Sequence, residues 1–102
     1  MADVVVSKLA RKDLLATRDY IRDELGNPEA ARRIMQALKQ GMASLGGMPE
    51  RGKPLDALLA VHTEYRFLAV ENYRIFYLCD GRTVEVIRVL HTRQDFMRAL
   101  FF

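Results

Sequence analysis

The sequence predicts an α+β fold, an N-terminal helical hairpin packed on a small antiparallel β-sheet. Two long runs with apolar residues at helical spacing follow one another, parted only by Gly26-Asn27. The stretch Tyr73–His91, YRIFYLCDGRTVEVIRVLH, then sets two β-rich runs on either side of Asp80-Gly81. No repeat, low-complexity segment or linker interrupts the 102 residues, so 1–102 reads as a single domain with one core.

Val4-Val5-Val6 is a short β-branched run that reads as an edge or flanking strand. Ser7 is placed to cap the next helix by accepting a bond from a free N–H of its first turn. Leu14, Ile21 and Leu25, joined by Ala10 and Tyr20, form that helix's apolar stripe, and Gly26 ends it. Asn27-Pro28-Glu29 restarts a helix: Asn caps, Pro suits the first helical position, and Glu favours the positive end of the dipole. Its stripe is Ala31, Ile34, Leu38, Met42 and Leu45, with Gly46 as the stop. A loop this short forces the two helices antiparallel. Met35 and Met42 read as packing rather than as part of a cofactor box.

Gly47–Leu55, GMPERGKPL, is the Gly/Pro-rich stretch and reads as a loop carrying Arg51 and Lys53. It lacks the Gly-Lys-Ser/Thr ending of a phosphate-binding loop. Leu58–Ala69 gives one or two short strands, and Glu71-Asn72 a turn. In the hairpin beyond that turn, Asp-Gly favours a two-residue turn with positive φ at both central positions. Cys79 then faces Arg82, Tyr77 faces Val84, Ile75 faces Val86 and Arg74 faces Ile87. Alternation puts Ile75, Tyr77, Val84, Val86 and Leu90 on one face. Arg74, Phe76, Leu78, Glu85, Ile87, Val89 and His91 fall on the other. Both faces are largely apolar, so the hairpin sits inside a sheet covered on each side. After it, Asp95 caps a short last helix, and Leu100-Phe101-Phe102 either folds back on the core or offers a partner an apolar tail.

The net charge is +3, which permits an acidic or polyanionic partner without demanding one. No apolar run has the length of a membrane span, and the N-terminus MADVVVSK lacks a signal-peptide core. Cys79 is alone, so no intrachain disulfide forms, and the cytoplasm is the expected compartment. His62, Cys79 and His91 have no zinc spacing, so no metal and no cofactor are expected. Ser7 and Ser44 lie in helix or cap contexts and support no catalytic triad.

Basic groups, tyrosines and His91 remain. Such a set suits metal-free cleavage of RNA, in which the 2′-OH is the nucleophile. The protein then need only move protons and stabilise phosphoryl charge. Arg matches two phosphate oxygens with its planar fork, and His titrates near neutrality. The bland alternative is a structural strand-end His91 and an Arg74 paired with a carboxylate such as Glu85. Arg74 and His91 share a face in this register, separated by roughly 13 Å along the strand.

The chain resembles the RelE/ParE superfamily of type II toxin–antitoxin toxins over nearly its whole length. The front carries DYIRDEL, NPEAARRI and LGGMPERGKPL, similar to the helical hairpin and loop of ParE-like members. The back carries Tyr-Arg-x-x-Tyr at Tyr73, Arg74 and Tyr77. It also carries Arg-x-Leu-His-x-Arg-x-Asp-Phe at Arg88, Leu90, His91, Arg93, Asp95 and Phe96. The resemblance implies a toxin neutralised by a cognate antitoxin in a toxin–antitoxin hetero-oligomer. It implies one of two targets. RelE-like members are ribosome-dependent endoribonucleases that cut mRNA without metal; ParE-like members inhibit DNA gyrase and are not nucleases. On the RelE-like pattern Arg74 is the active-site arginine, His91 the acid or base, and Arg51, Lys53, Arg66 and Arg93 the RNA-binding groups. The lysine-rich strand of RelE-like members is absent, since Leu58–Thr63 holds no Lys, and the helical hairpin is closer to ParE. Three readings stay open: an mRNA interferase, which this reading favours slightly, a gyrase inhibitor, or an inactive member that only pairs with its antitoxin.

Overall fold

The computed structural model describes all 102 residues. Strand β1 (Asp3–Val6) leads into helix α1 (Lys8–Asp19), which runs on through a π-helical turn (Tyr20–Glu24); helix α2 (Pro28–Gly47) follows. Then come β2 (Lys53–Pro54), a 3-10 turn (Leu55–Ala57), β3 (Arg66–Val70), β4 (Tyr73–Cys79), β5 (Thr83–His91) and α3 (Phe96–Phe101). The sheet order is β1-β5-β4-β3-β2. All neighbours are antiparallel except β1 and β5, which run parallel. The sheet is therefore mixed rather than purely antiparallel. A parallel pair needs a long crossover, and the helical hairpin supplies it.

Both predicted caps form: the Ser7 hydroxyl accepts from Ala10 N–H, and the Asn27 side chain accepts from Ala30 N–H. The α2 stripe of Ala31, Ile34, Leu38, Met42 and Leu45 is buried throughout. Leu38 and Leu45 are fully enclosed, each worth about 1.5–3 kcal/mol of transfer free energy. The expectations for Leu25 and Gly46 fail. Leu25 is exposed, because the π-helical turn, closed by Leu25 N–H to Tyr20 O, inserts a residue and rotates Leu25 off the stripe. Gly46 does not stop α2. It is buried within the helix, its carbonyl accepts from Ala2 N–H at 2.8 Å, and a Cβ there would meet the Ala2 carbonyl oxygen.

The loop predicted over residues 47–55 contains the two-residue strand β2. Its backbone is fastened from below. The Tyr77 hydroxyl accepts from Gly52 N–H at 2.9 Å and donates to the Pro49 carbonyl at 2.8 Å. Gly52 fits only because it has no Cβ, which would stand 2.7 Å from that hydroxyl. Of Leu58–Ala69 only Arg66–Ala69 is strand; residues 58–65 are irregular.

The hairpin about Asp80-Gly81 exists, but its register differs from the predicted one. Cys79 faces Val84, not Arg82, and Tyr77 faces Val86. Gly81 and Arg82 are the central turn residues, and positive φ falls on Gly81 alone. The Asp80 carboxylate accepts from Arg82 N–H and Thr83 N–H, which sets the turn one residue later than Asp-Gly alone suggests. A β-bulge then intervenes: Phe76 faces Arg88 while Tyr77 faces Val86, leaving Ile87 as the extra residue. Beyond Ile87 the alternation of β5 is inverted. Val89 joins the core under the helices, and Leu90 joins the opposite face.

The sheet thus has two apolar faces, as expected. On the first, α1 and α2 pack on Leu68, Tyr73, Ile75, Tyr77, Val84, Val86 and Val89. On the second, a smaller cluster of Leu55, Phe67, Phe76 and Leu90 is covered by Leu59, Tyr65, Phe96, Ala99 and Leu100. Asp95 caps α3 as predicted, accepting from Arg98 N–H. The C-terminus folds back: Phe96 stacks on Phe76 with ring centroids 5.5 Å apart, and Phe101 meets Tyr65 edge-on. Only Phe102 stands almost wholly in solvent. No helix is long and apolar enough to cross a membrane.

Candidate functional site

The bulge decides what the site residues can do together. Where β1 ends, α1 takes over the edge of β5. The Ser7 hydroxyl donates to the Ile87 carbonyl at 2.8 Å, and the Asp13 carboxylate accepts from Val89 N–H at 3.0 Å. These two side chains satisfy backbone groups of β5 at and beyond the bulge, past the point where β1 ends. Asp13 also holds the Arg88 guanidinium in a bidentate pair at 2.8 and 2.9 Å. That hydrogen bond raises the Arg88 pKa further above its usual value.

His91 lies opposite Tyr73, ring edge to ring face, with centroids 5.1 Å apart. Tyr73 belongs to the helix-side core, and so His91 is on the helix side. Arg74, the next residue along, points the other way. Its guanidinium lies 5.7 Å from the Phe67 ring centre and 5.9 Å from that of Phe96. The expectation that Arg74 and His91 share a face is therefore overturned, and the physical cause is the extra residue Ile87. The alternative pairing of Arg74 with Glu85 is also absent: Glu85 faces Leu78, near the other end of β4.

The four expected RNA-binding residues are dispersed. Arg66 is committed to the fold, donating to the Glu50 and Gly52 carbonyls at 3.0 and 2.6 Å. Lys53 is exposed on the edge strand opposite Phe67, on the Arg74 side. Arg51 is exposed beside a cavity of about 620 Å³ at the Cys79–Gly81 end of the hairpin. Arg93 lies at the other end of β4, next to His91, with its N–H donating to His91 Nδ1 at 3.0 Å. A seven-residue strand separates those two ends by roughly 20 Å. On its own face the Arg74 guanidinium lies against Phe67 and Phe96 and makes no hydrogen bond or ion pair with a His, Asp or Glu that could move a proton. No group of three or more His, Cys, Asp or Glu side chains is placed to hold a metal ion.

Two features escaped the sequence reading. One is a cleft of about 530 Å³ between α1 and the ends of β4 and β5, lined by Asp13, Thr17, Tyr20, Tyr73, His91 and Arg93 among others. Tyr20, expected in the core, forms part of its wall. The other is His62, held by Asp56 at 2.7 Å and Glu64 at 3.1 Å in the irregular segment before β3. The Asp56 hydrogen bond, then that of Glu64, raises the His62 pKa. The contact thus steadies this segment fully below pH 6.5 and is lost as pH rises through the higher folded value. An NMR titration is expected to place the His62 midpoint above 6.5; a midpoint at or below it contradicts the contact.

Residues 4–96 match the family described as the ParE toxin of type II toxin–antitoxin systems, parDE. The chain belongs to the ParE toxin family. As a ParE-family toxin it also has structural relatives across the wider RelE/ParE group. The chromosomal ParDE toxin–antitoxin system of P. aeruginosa is similar at 21% identity and TM-score 0.74, over 89% of this chain and 96% of that one. The RelBE2 toxin–antitoxin complex of Mycobacterium tuberculosis is similar at 26% identity and TM-score 0.62, over 88% and 96%. YafQ of E. coli matches at 18% identity and TM-score 0.52 over the full length of both chains. Among curated proteins no sequence matches this ParE-family chain.

Proposed function

We propose that this toxin acts as a ParE-like inhibitor of DNA gyrase, by binding and without cleaving RNA, and that a cognate antitoxin neutralises it. The observation that carries this reading is the placement of Arg74 and His91 on opposite faces of the sheet. Metal-free RNA cleavage needs proton transfer and phosphoryl charge stabilisation at one phosphorus atom. Here the guanidinium and the imidazole have a packed sheet between them. The ParE family match supports the same choice.

Antitoxin binding is supported by the outer surface of the helical hairpin. Arg32 and Lys39, neither in an ion pair, line a groove with Pro28 and Met35, beside Arg18 and Arg22, which are paired with Asp19 and Asp23. This groove suits an acidic segment that folds on binding.

One observation favours the ribosome-dependent mRNA endonuclease: Arg74 has no carboxylate partner and lies between two aromatic rings. Purified protein added to gyrase supercoiling assays and to translating ribosomes separates the two readings. The expected result is loss of supercoiling with mRNA intact, and retained toxicity in Arg74→Ala. Cleavage of ribosome-bound mRNA that Arg74→Ala abolishes refutes the gyrase reading.

A further inference from the structure

The cleft between α1 and the ends of β4 and β5 presents polar groups that the fold leaves unpaired: the Arg93 guanidinium, the Tyr73 hydroxyl and His91 Nε2. Its one carboxylate, Asp13, is neutralised by Arg88 and accepts three hydrogen bonds, two from Arg88 and one from Val89 N–H. Arg93 forms no ion pair and leaves the cleft a net positive charge. His91 Nδ1 accepts from Arg93 N–H, so the neutral ring carries its proton on Nε2 and is a donor there. Tyr73 is more than nine-tenths buried, yet its hydroxyl makes no hydrogen bond within the protein. Arg66 Nε is the only sealed side-chain polar atom without a partner, so the Tyr73 hydroxyl opens on the cleft. Burial raises the Tyr73 pKa and keeps that phenol a donor. An unpartnered hydroxyl that reaches the cleft is available to a ligand atom in place of solvent. The hydroxyls of Tyr20 and Thr17 are likewise free of protein partners, and the Tyr20 ring is half exposed on the cleft wall.

We propose that this cleft is a binding site for a nucleoside phosphate. The phosphate lies against Arg93, His91 Nε2–H and the Tyr73 hydroxyl, and the base stacks on Tyr20. The volume of about 530 Å³ is that of a small-molecule site. A cation and neutral donors lining one cleft suit a phosphate, and an exposed phenol ring gives a flat base a stacking surface. The site lies on the opposite side of the sheet from Arg74 and does not depend on the target proposed above.

The test is calorimetric titration of the purified full chain with adenosine 5′-monophosphate, inorganic phosphate and adenosine. The nucleotide is expected to bind at one site, at least about tenfold more tightly than either part. Arg93→Ala should weaken it about tenfold, the loss of one charge-assisted hydrogen bond. Tyr73→Phe, which keeps the ring packing, should weaken it about threefold. Arg74→Ala, on the other face, should leave it unchanged. No saturable binding overturns the proposal, as does nucleotide binding no tighter than phosphate. Affinity that falls in Arg74→Ala but not in Arg93→Ala overturns it too, and thermal melts of each variant confirm that it is folded.

Discussion

Asp13→Ala is expected to destabilise the protein by about 3 kcal/mol or more, the cost of stripping one partner from a largely buried ion pair. The Asp13 and Arg88 side chains are only 12% and 20% exposed, so water replaces little of what is lost. The same substitution orphans Val89 N–H at the bulge, where no strand stands ready to accept from it. Asp13→Asn keeps an acceptor for Val89 N–H and should recover part of the loss. Chemical denaturation of the three proteins measures it. A change under about 1 kcal/mol for Asp13→Ala would mean that this carboxylate does not hold the bulge.

Phe76→Ala should cost about 3–5 kcal/mol. Phe76 is fully buried and sits at the centre of the second face, stacked on Phe96 and tilted against Phe67. Its removal leaves α3 resting on a cavity. α3 is six residues long and too short to persist without packing. Amide exchange of residues 96–101 should therefore quicken well beyond the general loss of stability, while α2 amides follow the global value. Equal acceleration in both helices would show that α3 is not anchored through Phe76.

Much of the fold is legible because local rules suffice for it. Helix caps at Ser7, Asn27 and Asp95, the α2 stripe and the turn at Glu71-Asn72 each depend on residues a few positions apart. The site is less legible because one inserted residue, Ile87, controls it. The run from Thr83 to His91 reads as uninterrupted strand. The partners that permit the bulge, Ser7 and Asp13, lie more than seventy positions away. Strand alternation carried across a bulge assigns every later side chain to the wrong face. That error alone moved His91 to Arg74's side and exchanged Val89 with Leu90. The Tyr77 and Arg66 clamps on the 49–52 loop were hidden for a similar reason, since both link strands to a loop distant in sequence.

The split between the guanidinium of Arg74 and the imidazole of His91 is read most directly from proton–proton contacts in solution. A nuclear Overhauser spectrum of the labelled protein should connect the His91 ring to Tyr73 and to Tyr20 or Thr17 of the first helix. It should connect the Arg74 side chain to Phe67 and Phe96. Contacts from the His91 ring to Phe96 or to the Arg74 side chain would contradict the bulge at Ile87, and the gyrase proposal would lose the observation that carries it.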